Sequence, residues 1–209
     1  MTNSEIIAQL EKRLKEPLPG KAAQIKMASG KRRLDITAPD TAKLSAVMGL
    51  LFPKDDELNL LLIKRVEDGK PHGGQISFPG GRKDKEDNDL LTTALRETEE
   101  EVGIPKNEIT SLGALSSLYI PVSNSNVQPY IGYTSAVHNY ILSPNEVQYI
   151  IEAPIKDLFA PHRKSIKEIR PTAYPEAIIK TPVYHWEGDH MIWGATAMII
   201  SELEAIIKL

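Results

Sequence analysis

Two runs, Gly74-Gln75-Ile76-Ser77-Phe78-Pro79-Gly80-Gly81-Arg82-Lys83-Asp84 and Leu95-Arg96-Glu97-Thr98-Glu99-Glu100-Glu101-Val102-Gly103-Ile104, decide how the rest of the chain is read. The first sets a glycine pair where a backbone must pass close to a neighbour. The second reads as a helix with four glutamates within five residues. Like charges at helical spacing destabilise by about 0.2–0.5 kcal/mol per pair, so the cluster asks for a cation. At about 100° per residue, Leu91, Ala94, Leu95, Thr98 and Val102 form one stripe. Glu97 and Glu101 lie a turn apart on a neighbouring face with Glu100 beside them, while Arg96 and Glu99 point elsewhere. One face is therefore predicted to pack on a core while three carboxylates converge beyond it. Oxygen-only donors suit a hard divalent ion, Mg²⁺ or Mn²⁺, whose shell phosphate oxygens commonly complete. A solvated acidic face is the alternative for the helix alone; the glycine loop ahead of it favours the metal.

The two runs together resemble the Nudix box, G-x5-E-x7-R-E-U-x-E-E-x-G-U with U aliphatic, of hydrolases acting on nucleoside diphosphates linked to another moiety. Arg96, Glu97, Glu100, Glu101, Gly103 and Ile104 match its second half position by position. Thr98 stands where an aliphatic residue is usual, and the spacing from Gly81 to Arg96 is one residue longer than in the general box. Asp84 and Asp87 replace the middle glutamate, a version similar to that of the coenzyme A diphosphatase branch. The same branch has the signature L-L-T-x-R-[SA]-x3-R-x3-G-x3-F-P-G-G. Leu61, Leu62, Arg65, Gly74 and Phe78-Pro79-Gly80-Gly81 follow it with every spacing kept; Ile63, Val66 and Lys70 are substitutions, the last preserving charge. Tyr119-Ile120-Pro121-Val122-Ser123, Val127, Pro129-Tyr130 and the run from Ile192 to Ala197 also look like this branch, so the resemblance spans about residues 43 to 209.

The resemblance implies an α/β (α+β) protein: an α/β/α sandwich with a central mixed sheet, plus N-terminal and C-terminal helices. Residues 1–42 are expected to form an N-terminal helix and polar extension, and 43–209 the hydrolase domain. It implies hydrolysis of the diphosphate of coenzyme A or its thioesters, giving 3′,5′-ADP and 4′-phosphopantetheine species. ADP-ribose or a dinucleoside polyphosphate are alternative substrates, and a non-catalytic binding module is the alternative of another class. Such modules typically lose box carboxylates, and this box retains them. A diphosphate is kinetically stable because water must approach an anion, so a site must neutralise charge and position a nucleophile. Glu97, Glu100 and Glu101 are the candidate metal ligands, with Gly81 beside them, and one glutamate is free to act as general base. Arg96 is expected to hold a ligand carboxylate by a bidentate pair. Gly80 and Gly81 allow close approach of the backbone to metal or phosphate. Arg65 and Lys70 are the candidate partners of the extra phosphate of coenzyme A. Trp193 and Tyr130 are able to stack on adenine, although core packing is the plainer account. Glu146 lies where related enzymes sometimes place a base, or else it is a charge at a helix N-terminus.

Composition agrees with a globular enzyme. A 209-residue chain that is 41% hydrophobic and 25% charged supports one full core. A net charge of −3 offers no electrostatic footprint for nucleic acid or anionic membrane. The absence of cysteine excludes disulfides and thiolate chemistry, and the five histidines contain no i, i+4 pair. No signal-like stretch opens the chain, so the cytoplasm is the expected location. The expected partner is a small-molecule nucleoside diphosphate, coenzyme A foremost, with neither nucleic acid nor membrane; a homodimer is compatible with this.

Ser4 is predicted to cap a helix through about Leu14 whose buried stripe is Ile6, Ile7, Leu10 and Leu14. A polar loop containing Lys31-Arg32-Arg33 follows. Strands are predicted over Leu44–Phe52 and Leu58–Arg65 around the turn at Pro53, then over 109–119, 127–136 and 177–183. Residues 145–159 read as helical up to Pro154 and on to Leu158, 172–175 belong to a long polar stretch, and a last helix runs from about Thr196 to Lys208.

Overall fold

The two strands that follow the N-terminal region, β1 (Lys43–Lys54) and β2 (Glu57–Arg65), are buried along most of their length. Both are covered on each face, which is why they read as near-continuous apolar runs rather than alternating ones. In the computed structural model, which describes residues 2–29, 37–69, 72–135 and 139–207, they are joined by Asp55 and Asp56 at φ 51° and 61°. Two consecutive left-handed residues are the mark of the hairpin turn whose twist matches that of its strands.

β1 organises the sheet. It runs antiparallel to β2 and parallel to β7 (Ser125–Tyr133), in register from Lys43 opposite Ser125 to Leu51 opposite Tyr133. β5 (Thr110–Ala114) and β6 (Leu118–Ile120) flank β7. β3 (Ile76–Ser77) and β8 (Val147–Pro154) pair with β2, and β4 (Gly80–Arg82) pairs with β1. A separate antiparallel sheet is built from β9 (Lys164–Ile169), β10 (Ile179–His185) and β11 (Met191–Ile192).

Side chains alternate across the eight-stranded mixed sheet and define two cores. Met48, Leu50, Leu61 and Ile63 pack against Ala94 and Val102 of α3 (Leu90–Val102). Leu51, Leu60, Leu62 and Ile131 face the other way, toward Ile199, Leu203 and Ile206 of α5 (Gly194–Ile206). Ile6 and Leu10 of α1 (Asn3–Arg13) join that second layer. The result is the expected α/β/α arrangement. The short α2 (Lys21–Gln24), in a stretch read as polar loop, docks on α5: Gln24 Nε2 donates to Glu202 Oε2 at 2.9 Å and Gly20 N to Glu202 Oε1 at 3.1 Å.

Four features depart from the sequence reading, the first being that the strand expected over 109–119 is broken into β5 and β6 between Ala114 and Leu118. Residues 147–154 form β8, antiparallel to β2 from Asn59 opposite Pro154 to Lys64 opposite Tyr149, and only Ile155–Leu158 (α4) is helical. Val147, Ile150 and Ile151 fit either period in so short a run, and the open edge of β2 decides between them. The cap of α1 is Thr2, not Ser4: Glu5 N donates to Thr2 Oγ1 and Glu5 Oε2 accepts from Thr2 N at 2.8 Å, a reciprocal capping box. Residues 164–169 form a strand whose face is largely exposed, which left no hydrophobic signal. Lys31, Arg32 and Arg33 lie outside the described residues, as does Lys208.

Candidate active site

The glycine pair is seated by β1. Val47 lies opposite Gly80 and Ala46 opposite Gly81, and Met48 N donates to Pro79 O at 2.9 Å. Gly80 has φ 151°, and a Cβ there would stand 2.3 Å from Ala46 O, so only glycine fits. A Cβ on Gly81 would stand 2.4 Å from Glu97 Oε1. The second glycine is therefore the floor on which the Glu97 carboxylate rests.

α3 brings up the glutamates. Asp89 caps it by accepting from Thr92 N at 2.7 Å. Thr98, the polar residue in an aliphatic position, is fully buried and satisfies its hydroxyl by donating to Ala94 O at 2.7 Å. One turn apart, Glu97 and Glu101 turn toward the glycine pair. Glu101 is only 1% exposed; it accepts from Gly80 N at 2.9 Å and from Arg65 Nη1 at 3.2 Å. Burial pushes its carboxyl up to about 7, against the opposing pull of the Gly80 amide and Arg65. Glu97 is also raised, first by burial, with Arg96 opposing and the Glu100 and Glu146 charges adding to the rise. Glu146 acts on both Glu97 and Glu101. It is exposed and immediately precedes a strand, so the helix-terminus account of it does not hold.

The three box glutamates do not meet at a single point. Glu100 is 55% exposed and turns out to Arg96 Nη1 at 2.8 Å. Among the described residues no group of three acidic or histidine side chains is drawn together tightly enough to cage an ion. A cation would be taken by the half-buried Glu97 and the buried Glu101, with Glu100 and Glu146 at the rim and exogenous oxygens completing the shell. The donors fit a hard divalent ion, for all are oxygens and the two inner carboxylates lie in surroundings that disfavour their charge until a cation arrives.

Arg96 is held differently from the expectation. Its fork closes on Asp87, with Nε to Oδ1 at 3.1 Å and Nη2 to Oδ2 at 3.0 Å, while Nη2 also donates to Arg82 O at 3.1 Å. Glu97 and Glu100 each receive a single contact from Nη1. Asp87 is buried and accepts further from Thr93 Oγ1 and Asp84 N. Arg96 above all holds its carboxyl well below the ordinary range. The Asp84–Asp87 insertion thus anchors the arginine, and the arginine bridges to two glutamates.

Arg65, Gly80, Gly81, Arg96, Glu97 and Glu101 are gathered in one place; Lys70 lies outside the described residues. Tyr130 packs with the core cluster under α3, and Trp193 is the residue at which the backbone enters α5. Beyond Glu146, a cavity of about 630 Å³ opens around β8, walled by Tyr140, Tyr149, Glu152, Trp186 and His190. The helical reading concealed it, because four consecutive residues, Tyr149 to Glu152, line one cavity only along an extended strand.

The chain is similar to known proteins in both sequence and fold. Residues 42–188 match the NUDIX domain family. A protein of Pectobacterium atrosepticum named uncharacterized Nudix hydrolase NudL is 36% identical over 149 residues, covering 69% of this chain and 72% of its own. Its namesake from Yersinia pestis is 35% identical over 147 residues, 70% of this chain and 71% of its own. Among solved structures, a MutT/nudix family protein from Enterococcus faecalis aligns at TM-score 0.49 and 16% identity, over 99% of this chain and 74% of its own. A C. elegans Ap4A hydrolase aligns at TM-score 0.47 and 19% identity, over 54% and 80%.

Proposed function

Since the chain belongs to the Nudix hydrolases, and so is a hydrolase of diphosphate bonds, we propose that its substrate is coenzyme A or a coenzyme A thioester and its cofactor Mg²⁺ or Mn²⁺. The substrate reading is carried by the run from Leu61 to Gly81. Its fixed positions form the hairpin of β2 and β3 that enters the glycine pair, and its first base, Arg65, reaches Glu101.

In this reading Glu97 and Glu101 hold the cation, with Gly81 beneath Glu97 and Glu100 at the rim. When bound, the ion neutralises phosphoryl oxygens and lowers the pKa of bound water. Gly80 fixes Glu101 through its N–H, and Asp87 fixes Arg96, so the carboxylates need little rearrangement before reaction. Arg65 turns its remaining N–H donors toward the diphosphate. Glu146, exposed beside the inner pair, accepts the proton of the attacking water. Water attacks one phosphorus, the bridging P–O bond breaks, and two phosphate monoesters leave: 3′,5′-ADP and 4′-phosphopantetheine or its thioester. Tyr149 stands three residues beyond Glu146, about 10 Å along the strand, so the aromatic cavity is placed to receive part of the substrate away from the phosphates.

Incubating the protein with Mg²⁺ or Mn²⁺ and a panel of coenzyme A, dephospho-coenzyme A, ADP-ribose and dinucleoside polyphosphates, with products identified by mass spectrometry, tests this. The expected products are 3′,5′-ADP and 4′-phosphopantetheine, formed from coenzyme A with the highest kcat/KM. Faster turnover of ADP-ribose would overturn the substrate and leave the metal-dependent diphosphatase standing.

A further inference from the structure

The hairpin that leads into the glycine pair carries two polar atoms that are shut off from solvent and, among the described residues, have no hydrogen-bond partner: His72 Nε2 and Ser77 Oγ. Unpaired buried polar groups are few in native proteins and costly; here two share one hairpin. Register says which way they face. Ser77 lies opposite Ile63, and Arg65 N donates to Gln75 O at 3.0 Å, which sets Gln75 opposite Arg65. Antiparallel partners share a face and alternate residues return to it. Arg65, Gln75 and Ser77 therefore look with Ile63 toward α3, the side on which Ile63 packs and Arg65 meets Glu101.

His72 belongs to the same wall through Gln75, whose Oε1 is 3.3 Å from His72 Nδ1. When Nδ1 donates to that oxygen, the neutral ring presents Nε2 as a bare acceptor. Burial first lowers the proton affinity of the ring, with the Gln75 hydrogen bond opposing and the Arg65 charge adding to the fall, which favours this neutral form. His72 also has φ 73°, the left-handed region in which side-chain-bearing residues are uncommon. Such backbone persists where the surroundings enforce it, often at ligand clamps.

We propose that His72 is a specificity-determining residue: its Nε2 accepts a hydrogen bond from an O–H or N–H on the organic arm of the diphosphate substrate, with Ser77 Oγ on the same wall. A bare acceptor is complementary to a hydroxyl or an amide and repels phosphate oxygen. The inference rests on the hydrolase reading above.

The test compares the unmodified protein, His72→Asn and Ser77→Ala, with coenzyme A as varied substrate and inorganic pyrophosphate, which has no organic arm, as competing inhibitor. Asparagine tolerates the left-handed backbone while losing the reach of the imidazole. In His72→Asn, the KM for coenzyme A should rise about 5- to 10-fold, as for one lost hydrogen bond, with kcat and the pyrophosphate inhibition constant unchanged. Ser77→Ala should raise KM while Tm stays equal or increases, since a methyl group replaces an orphaned hydroxyl. This variant decides the matter if His72→Asn folds poorly. An unchanged KM, or equal weakening toward pyrophosphate, overturns the inference while the hydrolase reading stands. If the unmodified protein turns over no diphosphate, that reading falls by itself and calorimetric titration of coenzyme A decides: binding weakened 5-fold or more in His72→Asn sustains the role of His72, and equal or absent binding overturns it.

Discussion

Arg65 Nη1 stands 3.2 Å from Glu101 Oε1, so the first base of the upstream signature and the innermost carboxylate of the acidic helix form one ion pair across the cleft. The Glu101 side chain is 2% exposed and that of Arg65 28%. The pair is therefore screened weakly on one side and open to a ligand on the other.

This pairing redirects a substrate test. As a separate reader of the extra phosphate of coenzyme A, Arg65 would matter for coenzyme A alone. Committed to Glu101, it should matter for every diphosphate. Arg65→Ala is expected to lower kcat/KM by about 10- to 150-fold, the worth of a charge-assisted hydrogen bond of roughly 1.5–3 kcal/mol. The loss should be equal on coenzyme A and dephospho-coenzyme A. Lys70→Ala is expected to discriminate, losing about tenfold on coenzyme A and little on the dephospho form. Parallel kinetics of both variants on both substrates check this, and a selective loss in Arg65→Ala would return the phosphate to Arg65.

Glu97→Gln and Glu101→Gln should each cost at least about 10²-fold in kcat, or roughly 2.7 kcal/mol of barrier, while circular dichroism and Tm stay near those of the unmodified protein. Glu101 is buried and Glu97 half-buried, and burial disfavours the charge of both, so neutral isosteres do not harm the fold. Near-normal rates at saturating metal would remove them from the site.

The two glycines should separate stability from activity. Gly81→Ala drives a methyl group into the Glu97 carboxylate, the movable end of a side chain. It is expected to fold and to lose about 10²-fold or more in activity through Glu97. Gly80→Ala meets the Ala46 backbone at a φ of 151°, where nothing yields. It should destabilise by several kcal/mol. Thermal melts read beside rates distinguish the two, and equal behaviour would contradict the geometry.

Stability without metal should fall as pH rises. Glu101 has a folded value of about 7 against an ordinary 4.5, so between these the folded state holds a proton that the unfolded state has released. Its contribution is fully present below about pH 4.5 and lost as pH passes through 7, and spans up to about 3 kcal/mol. Tm measured with chelator should decline across that window, the decline should shrink with Mn²⁺ or Mg²⁺, and Glu101→Gln should flatten it. A flat profile for the unmodified protein in chelator would show Glu101 to be ionised throughout.

Much of this was legible before folding because it is local. The heptad-scale spacing of Leu91, Ala94, Leu95, Thr98 and Val102 against Glu97 and Glu101 is set by helical geometry alone, and the structure keeps stripe and carboxylates on separate faces. The apolar runs of β1 and β2 are as readable, since burial on both faces leaves few polar residues, Ser45 and Asn59 among them, to interrupt them. Partnership was not legible. Whether residues 147–154 became helix or strand depended on the bare edge of β2, and the strand in turn set Glu146 beside the glutamates and opened the aromatic cavity. The fork of Arg96 chose Asp87 over a glutamate because the inserted loop folds back under Lys83 and Thr93. The sequence by itself determined which residues are carboxylates, which are small and which are apolar; only the tertiary structure decided that Glu101 is buried against Gly80 and Arg65 while Glu100 faces water, because burial and charge pairing arise from elements far apart in the chain.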